Sequence, residues 1–199
     1  EQGKPLVEKD ADGYPTYHFK KGTFEWAEQV IPEYRWFDGE IRYTLLGEPI
    51  DDTSVVPINH IQGSYEDPDA RIWPFKVMRG RQPYDRQQKI LAVPHLFGQD
   101  ENAYWRSFDW EKALQAGLMA RGVTFSGDYD FIETEYYWPV THMVAPKEEA
   151  LECAACHDRN GRLAELRGFY MPGRDRHPTL DLIGWLLVAG TFVGVTAHG

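Results

Sequence analysis

Both cysteines of the chain, Cys153 and Cys156, lie in the stretch CAACH, and His157 follows them directly. Two thiols and an imidazole so close together could serve four chemistries. A structural zinc ion needs about four ligands, and no closely spaced pair of histidines follows downstream. A thioredoxin-like dithiol needs a preceding strand of a parallel sheet, which the lead-in YYWPVTHMVAPKEEALE does not resemble. A structural disulfide would leave His157 without a role. The fourth is covalent haem, in which both thiols add to the vinyl groups and the adjacent histidine becomes the proximal iron ligand. The residues favour this last reading, with a zinc-bound structural domain as an alternative. Thioether attachment also implies an extracytoplasmic site.

A haem iron of this type usually takes a second axial ligand. The candidates are His18, His60, His95, His142, His177 and His198, with Met143 and Met171 beside them. His142 stands out because it sits in WPVTHMVAP, held between Pro139 and Pro146, and neutral imidazole is a common metal ligand. His198 falls at the end of an apolar run, where a histidine is costly and often functional.

The elements that must carry these groups are less plain. Residues 1–22 are polar and rich in Gly, Pro and Lys, which predicts an extended arm. Aromatic clusters around Asp38-Gly39 suggest two short strands or a hairpin. Prolines and glycines through 50–75 predict ordered loop. KILAVPHLFG suggests one short buried strand ending at Pro94. SFDWEKALQAGLMARG predicts a helix capped by Asp109 or Ser107, with Ala113, Leu114, Gly117 and Leu118 on one side. Residues 147–156 predict a short helix that delivers the cysteines, closed at Asn160-Gly161. Aromatics make up 14% of the chain, enough for a packed core or for the wall of a large flat ligand.

Thirty-one acidic residues against 21 basic ones argue against a nucleic-acid footprint, so no nucleic-acid partner is expected. The chain opens without Met on polar EQGKPLVEKDADGYP, which reads as a processed product or a piece of something longer. Its other end changes character: no charge follows Asp181, and Leu182 to Ala197 is apolar or small apart from two threonines. Those residues would reach about 24 Å as a helix, against roughly 30 Å of hydrocarbon. A buried core helix is one reading. The preferred one is a transmembrane or membrane-docked helix over 181–199, flanked by basic GRDRHP, with Asp181 capping its first turn and Gly190 and Gly194 permitting close helix contact.

Four blocks carry a resemblance to a known family: IPEYRWFDG, GSYEDPDARIWPFKVMRGRQPYD, AYWRSFDWEKALQAG and SGDYDFIETEYYWPVTHMVAPKEEALECAACH. From about Pro32 to Leu163 the chain resembles the C-terminal part of the octahaem c-type cytochromes of the tetrathionate reductase family. The resemblance implies a multihaem cytochrome c-like fold, mainly α with long ordered loops and a few short strands, packed around haem. It implies a periplasmic protein, with His142 as a distal ligand and His157 as the proximal ligand of the last haem. The chain departs from that pattern in having a single CxxCH, so further haems are expected upstream or on another subunit.

Residues 1–180 are accordingly expected to form an extracytoplasmic haem c domain, with one covalent haem on Cys153, Cys156 and His157, and with His142 as an axial ligand of this haem or of one in the missing portion. The expected function is electron transfer on the periplasmic, membrane-associated side. Its partners would be another multihaem cytochrome segment or subunit and a membrane quinone or cytochrome b-type protein. An alternative makes the chain a component of a multihaem reductase acting on tetrathionate or nitrogen oxyanions. Lys76, Arg79 and Arg81 would then be candidates to hold the oxyanion.

Overall fold

A computed structural model describes residues 6–23, 25–27, 30–142 and 145–199. Two compact units form, one over 1–31 and one over 32–199. In the first, β1 (Val7–Lys9), β2 (Pro15–His18) and β3 (Gly22–Thr23) make an antiparallel meander, not an extended arm. The turn between β1 and β2 forms because Asp10 Oδ1 accepts from the N–H groups of Asp12 and Tyr14, at 3.1 and 2.8 Å.

The second unit is built on sheet. Its spine is a long antiparallel pair, β8 (Arg71–Asp85) against β10 (Tyr129–Pro139), in continuous register from Tyr129 opposite Asp85 to Pro139 opposite Phe75. β4 (Glu33–Phe37) pairs with the first residues of β8, and β9 (Ile90–Leu91) with its last two. β6 (Val56–Pro57) runs parallel to β10. β5 (Ile41–Tyr43) and β7 (Asn59–Ile61) form a separate antiparallel pair.

The expectation of a mainly α protein is therefore overturned: strand accounts for 27% of the described residues and helix for 23%. The misreading has a physical cause. Pro74, Gly80 and Pro83 all fall inside β8, and prolines argue against strand interiors. Both prolines sit where a ladder ends. The Pro74 carbonyl accepts from Val140, one residue past β10, and the Pro83 carbonyl from Ala92, one residue past β9. Each missing N–H thus falls at the margin of a ladder and interrupts none. Of the two short strands or hairpin suggested around Asp38-Gly39, the two strands form: β4 and β5 flank that turn, but they belong to different sheets and make no hairpin.

Asn59 ties those sheets together. It is buried, donates from Nδ2 to the Tyr137 carbonyl at 2.7 Å and accepts the Tyr137 N–H at 2.8 Å. Its amide mimics a neighbouring strand. Phe75 is fully buried against Phe37 and Tyr137, whose rings meet its own edge-on.

The helix expected over 107–122 forms as α2 (Trp110–Met119); a separate turn, α1 (Tyr104–Ser107), precedes it and ends where Phe108 takes a left-handed conformation with φ 56°. Asp109 caps α2 by accepting from the Lys112 N–H at 3.1 Å. Ala113, Leu114, Gly117 and Leu118 are its buried residues, and Leu114 and Leu118 pack with Ala92, Trp110 and Phe125. A β-carbon at Gly117 would overlap the Val93 carbonyl, so only glycine lets α2 lie this close to the segment that follows β9.

Asp85 is the polar staple of the unit. It is fully buried and accepts from the N–H groups of Gln87, Gln88 and Ser126, from Gln88 Nε2 and from Ser126 Oγ, all at 2.8–3.0 Å. Burial alone would raise this carboxyl, but the donors of Gln88 and Ser126 outweigh it and hold its pKa below the ordinary 3.8. Asp85→Ala leaves those donors facing no acceptor and should destabilise the fold by about 3 kcal/mol or more, read by urea unfolding. Because the folded pKa is depressed, the wild-type contribution is present above the ordinary carboxylate value and is lost as pH falls through the lower folded value. The gap between wild type and variant should therefore narrow below about pH 4. Equal stability of the two proteins at neutral pH would contradict the staple.

Candidate haem-binding site

The two thiols and the histidine occupy a helix of their own, α3 (Cys153–His157). The single helix expected over 147–156 does not form. A 3-10 turn covers Lys147–Glu149, then Ala150 and Glu152 turn extended, with ψ 140° and 157°, and α3 starts afresh at Cys153. Alanines at 154 and 155 favour the short helix and add no bulk beside the sulfurs. It closes through Asp158 N–H to the Ala154 carbonyl at 3.0 Å and Arg162 N–H to the Ala155 carbonyl at 2.9 Å.

Both cysteines are free thiols; Cys153 is exposed and Cys156 half-buried, while His157 is exposed. Among the described residues, no hydrogen-bond partner takes up the His157 ring, and no group of three or more His, Cys, Asp or Glu is placed to hold a metal ion. Two unpaired thiols and one uncommitted imidazole on a single accessible turn suit a macrocycle that must reach all three. Cys153 and Cys156 gain no further zinc ligands from the described residues.

The segment after α3 fastens it to the sheet. Leu163, Leu166 and Met171 are buried, and Met171 completely so. Trp36 of β4 donates its indole N–H to the Arg167 carbonyl at 3.0 Å, and its ring meets those of Tyr65 and Phe169 edge-on. Arg174 donates to the carbonyls of Ala164, Leu166 and Phe169 and forks onto Asp175. Paired with that guanidinium, and accepting the Met171 N–H, Asp175 is pushed down to about 2.

The other candidate ligands are scattered. His142 lies in a bend three residues past β10, exposed, with no hydrogen-bond partner among the described residues. No hydrogen bond there joins it to α3. Met143 lies outside the described residues. His18 stacks on Phe19 in the first unit and accepts the Lys20 N–H. His60 Nε2 is 3.2 Å from Thr44 Oγ1, and His95 Nε2 is 2.9 Å from Asp100 Oδ2. His177 and His198 mark the two ends of α4 (Pro178–His198). His177 is the N-cap residue with Pro178 following it, so Asp181 does not cap the helix and instead accepts from Arg176 Nε at 2.6 Å.

The basic residues suggested for an oxyanion do not converge. Arg79 and Arg81 share one face of β8, and Lys76 has the opposite parity and faces the other way. Arg79 donates to Glu33 Oε1 at 2.6 Å, which raises its pKa and occupies its guanidinium, and Arg81 donates to the Phe131 carbonyl at 3.0 Å. An open groove of about 540 Å³ lies on the sheet between Leu45, Met78, Leu91 and Tyr136, and no residue of α3 lines it.

Sequence reasoning missed Trp36, Tyr65 and Gly173, and took Arg174 only as the flank of a membrane segment. The available signal was a pair of glycines, Gly168 and Gly173, within an aromatic non-helical stretch, which marks close backbone approach.

A family profile described as "Cytochrome c bacterial" matches residues 1–160. The chain belongs to this bacterial cytochrome c family, whose members carry covalent haem c and work by haem-based electron transfer. Among solved structures, the crystal structure of octaheme cytochrome c from Shewanella oneidensis matches with 36% identity and a TM-score of 0.69. The match covers 81% of this chain and 38% of that one, so the chain spans well under half the length of that relative. No curated protein matches.

Proposed function

We propose that this chain is an electron-transfer module that holds one haem c on Cys153, Cys156 and His157 and works beside further haems in a multihaem assembly at a membrane. The observation that carries the proposal is the α3 turn, where three groups that haem attachment requires stand together and uncommitted. When bound, the haem supplies an iron that cycles between two oxidation states. The protein's part is to tether it through two sulfurs, to set the plane of the His157 imidazole and to limit access of water. The match to an octahaem relative over only part of that relative's length supports a partner segment or subunit with more haems. The four sequence blocks suggest the tetrathionate reductase branch of such cytochromes. An extracytoplasmic site follows from the family chemistry, and α4 supports attachment to the membrane, next to a quinone or cytochrome b-type donor.

Within this reading His142 is the second axial ligand, of this haem or of a neighbouring one. Its exposed, uncommitted ring and its mount between Pro139 and Pro146 support that role. His142→Met should raise the midpoint of one haem, since thioether ligation lifts the potential relative to imidazole. A redox titration with unchanged midpoints and an unchanged low-spin spectrum would remove His142 from the ligand set. The electron-transfer reading itself is tested by the same titration on wild type. A reversible one-electron wave is expected, and a chain with no redox-active band would refute it.

A further inference from the structure

We infer that Gly173 and Arg174 are positioning residues for the haem iron: together they press the chain against the carbonyl of His157 and so fix the angle at which its imidazole is presented. The inference rests on the reading of His157 as an iron ligand and adds what sets that ligand's geometry. Gly173 lies so close to α3 that a β-carbon on it would overlap the His157 carbonyl oxygen and sit 3.0 Å from Asp158 Cα. Glycine alone allows this contact. On the neighbouring stretch, a β-carbon at Gly161 would lie 2.6 Å from the Cys156 carbonyl oxygen. The last two carbonyls of the haem-binding turn are thus packed against backbone, with no room for the turn to tilt.

Arg174 is what keeps residue 173 there. Its side chain is only 11% exposed and gathers the carbonyls of Ala164, Leu166 and Phe169, the last at 2.8 Å. Asp175 holds the guanidinium from the other side and closes back on the Met171 N–H at 2.8 Å. Trp36 ties the same loop to β4 through the Arg167 carbonyl. A path of direct contacts therefore runs from the sheet, through the loop 161–175, to the backbone of His157. Residues one step removed from a metal commonly set ligand orientation, and their loss weakens metal binding about 10–100-fold.

The test uses the full chain, matured with haem, in wild-type form and as Gly173→Ala and Arg174→Lys. Lysine keeps the charge and an Asp175 contact but cannot reach three carbonyls at once. Both variants should retain covalent haem, because the thioethers do not depend on the loop. Both should show a shifted midpoint potential and a perturbed low-spin spectrum. The imidazole concentration that half-converts that spectrum should fall about tenfold or more. Asp85→Asn serves as a control that lowers stability without moving the potential. If Gly173→Ala fails to accumulate, Arg174→Lys and the milder Asp175→Asn carry the same readouts. Wild type without covalent haem would overturn the haem reading itself. Wild type with haem, and variants that match it in potential and in imidazole titration, would overturn the positioning role while leaving the haem reading intact.

Discussion

Replacing both Cys153 and Cys156 with alanine will leave the chain without covalently attached haem, and replacing either one will lower haem retention. The expectation follows from the bond count. Each thiol supplies one thioether, and these are the only cysteines in the sequence. No other residue can substitute for them. Neither thiol carries structural weight in the folded chain: both are free, and neither belongs to the buried core. Alanine is also a better helix former than cysteine, so α3 should persist. The double variant should therefore fold with its sheet intact, retain its far-ultraviolet spectrum and lack the haem absorption bands after denaturing electrophoresis. Haem that stays bound through denaturation in that variant would refute the assignment.

Removing α4 should change where the protein is found and leave its fold alone. The helix is 21 residues long, about 31 Å at 1.5 Å per residue, and so matches a hydrocarbon core of roughly 30 Å. The sequence had suggested a shorter helix because the apolar count starts only after Asp181; Pro178 begins the helix a turn earlier. None of it is buried against the rest of the chain, and its mean hydropathy is 1.8. Leu182, Trp185, Leu186, Phe192 and Val195 all face outward. In water such a surface is costly. The two hydroxyls of the apolar stretch are already satisfied, Thr191 by the Leu187 carbonyl at 2.8 Å and Thr196 by the Phe192 carbonyl at 2.7 Å, as an apolar medium demands. A chain ending at Asp181 should stay in the supernatant after high-speed centrifugation, and the full chain should need detergent. A full chain that stays in solution without detergent would end the anchoring proposal.

The parts of this molecule that could be read from sequence are those whose chemistry is local. CAACH is one, because two thioethers and an axial imidazole require neighbouring residues. The α2 helix is another, because the Asp109 cap and the Leu114 and Leu118 stripe lie within a few turns. The long β8–β10 ribbon was not legible. Its register joins residues some fifty positions apart, and Pro74, Gly80 and Pro83 mask the strand unless it is known that the two prolines meet ladder ends. The same limit hid the partner change at Asp38-Gly39, where a local turn signal says nothing about which sheet each strand will join. It also hid Gly173, whose importance comes from a carbonyl sixteen positions earlier in the chain. Among histidines, sequence could rank candidates by setting but could not see that His60 and His95 already have partners in Thr44 and Asp100.

The most direct test of the account is the intact mass of the full chain, purified from a host competent in haem c maturation and measured under denaturing conditions. The predicted result is a single species heavier than the polypeptide by one haem, with the added mass mapping to the peptide that contains Cys153 and Cys156. A mass equal to that of the bare polypeptide, with both thiols open to alkylation, would contradict it.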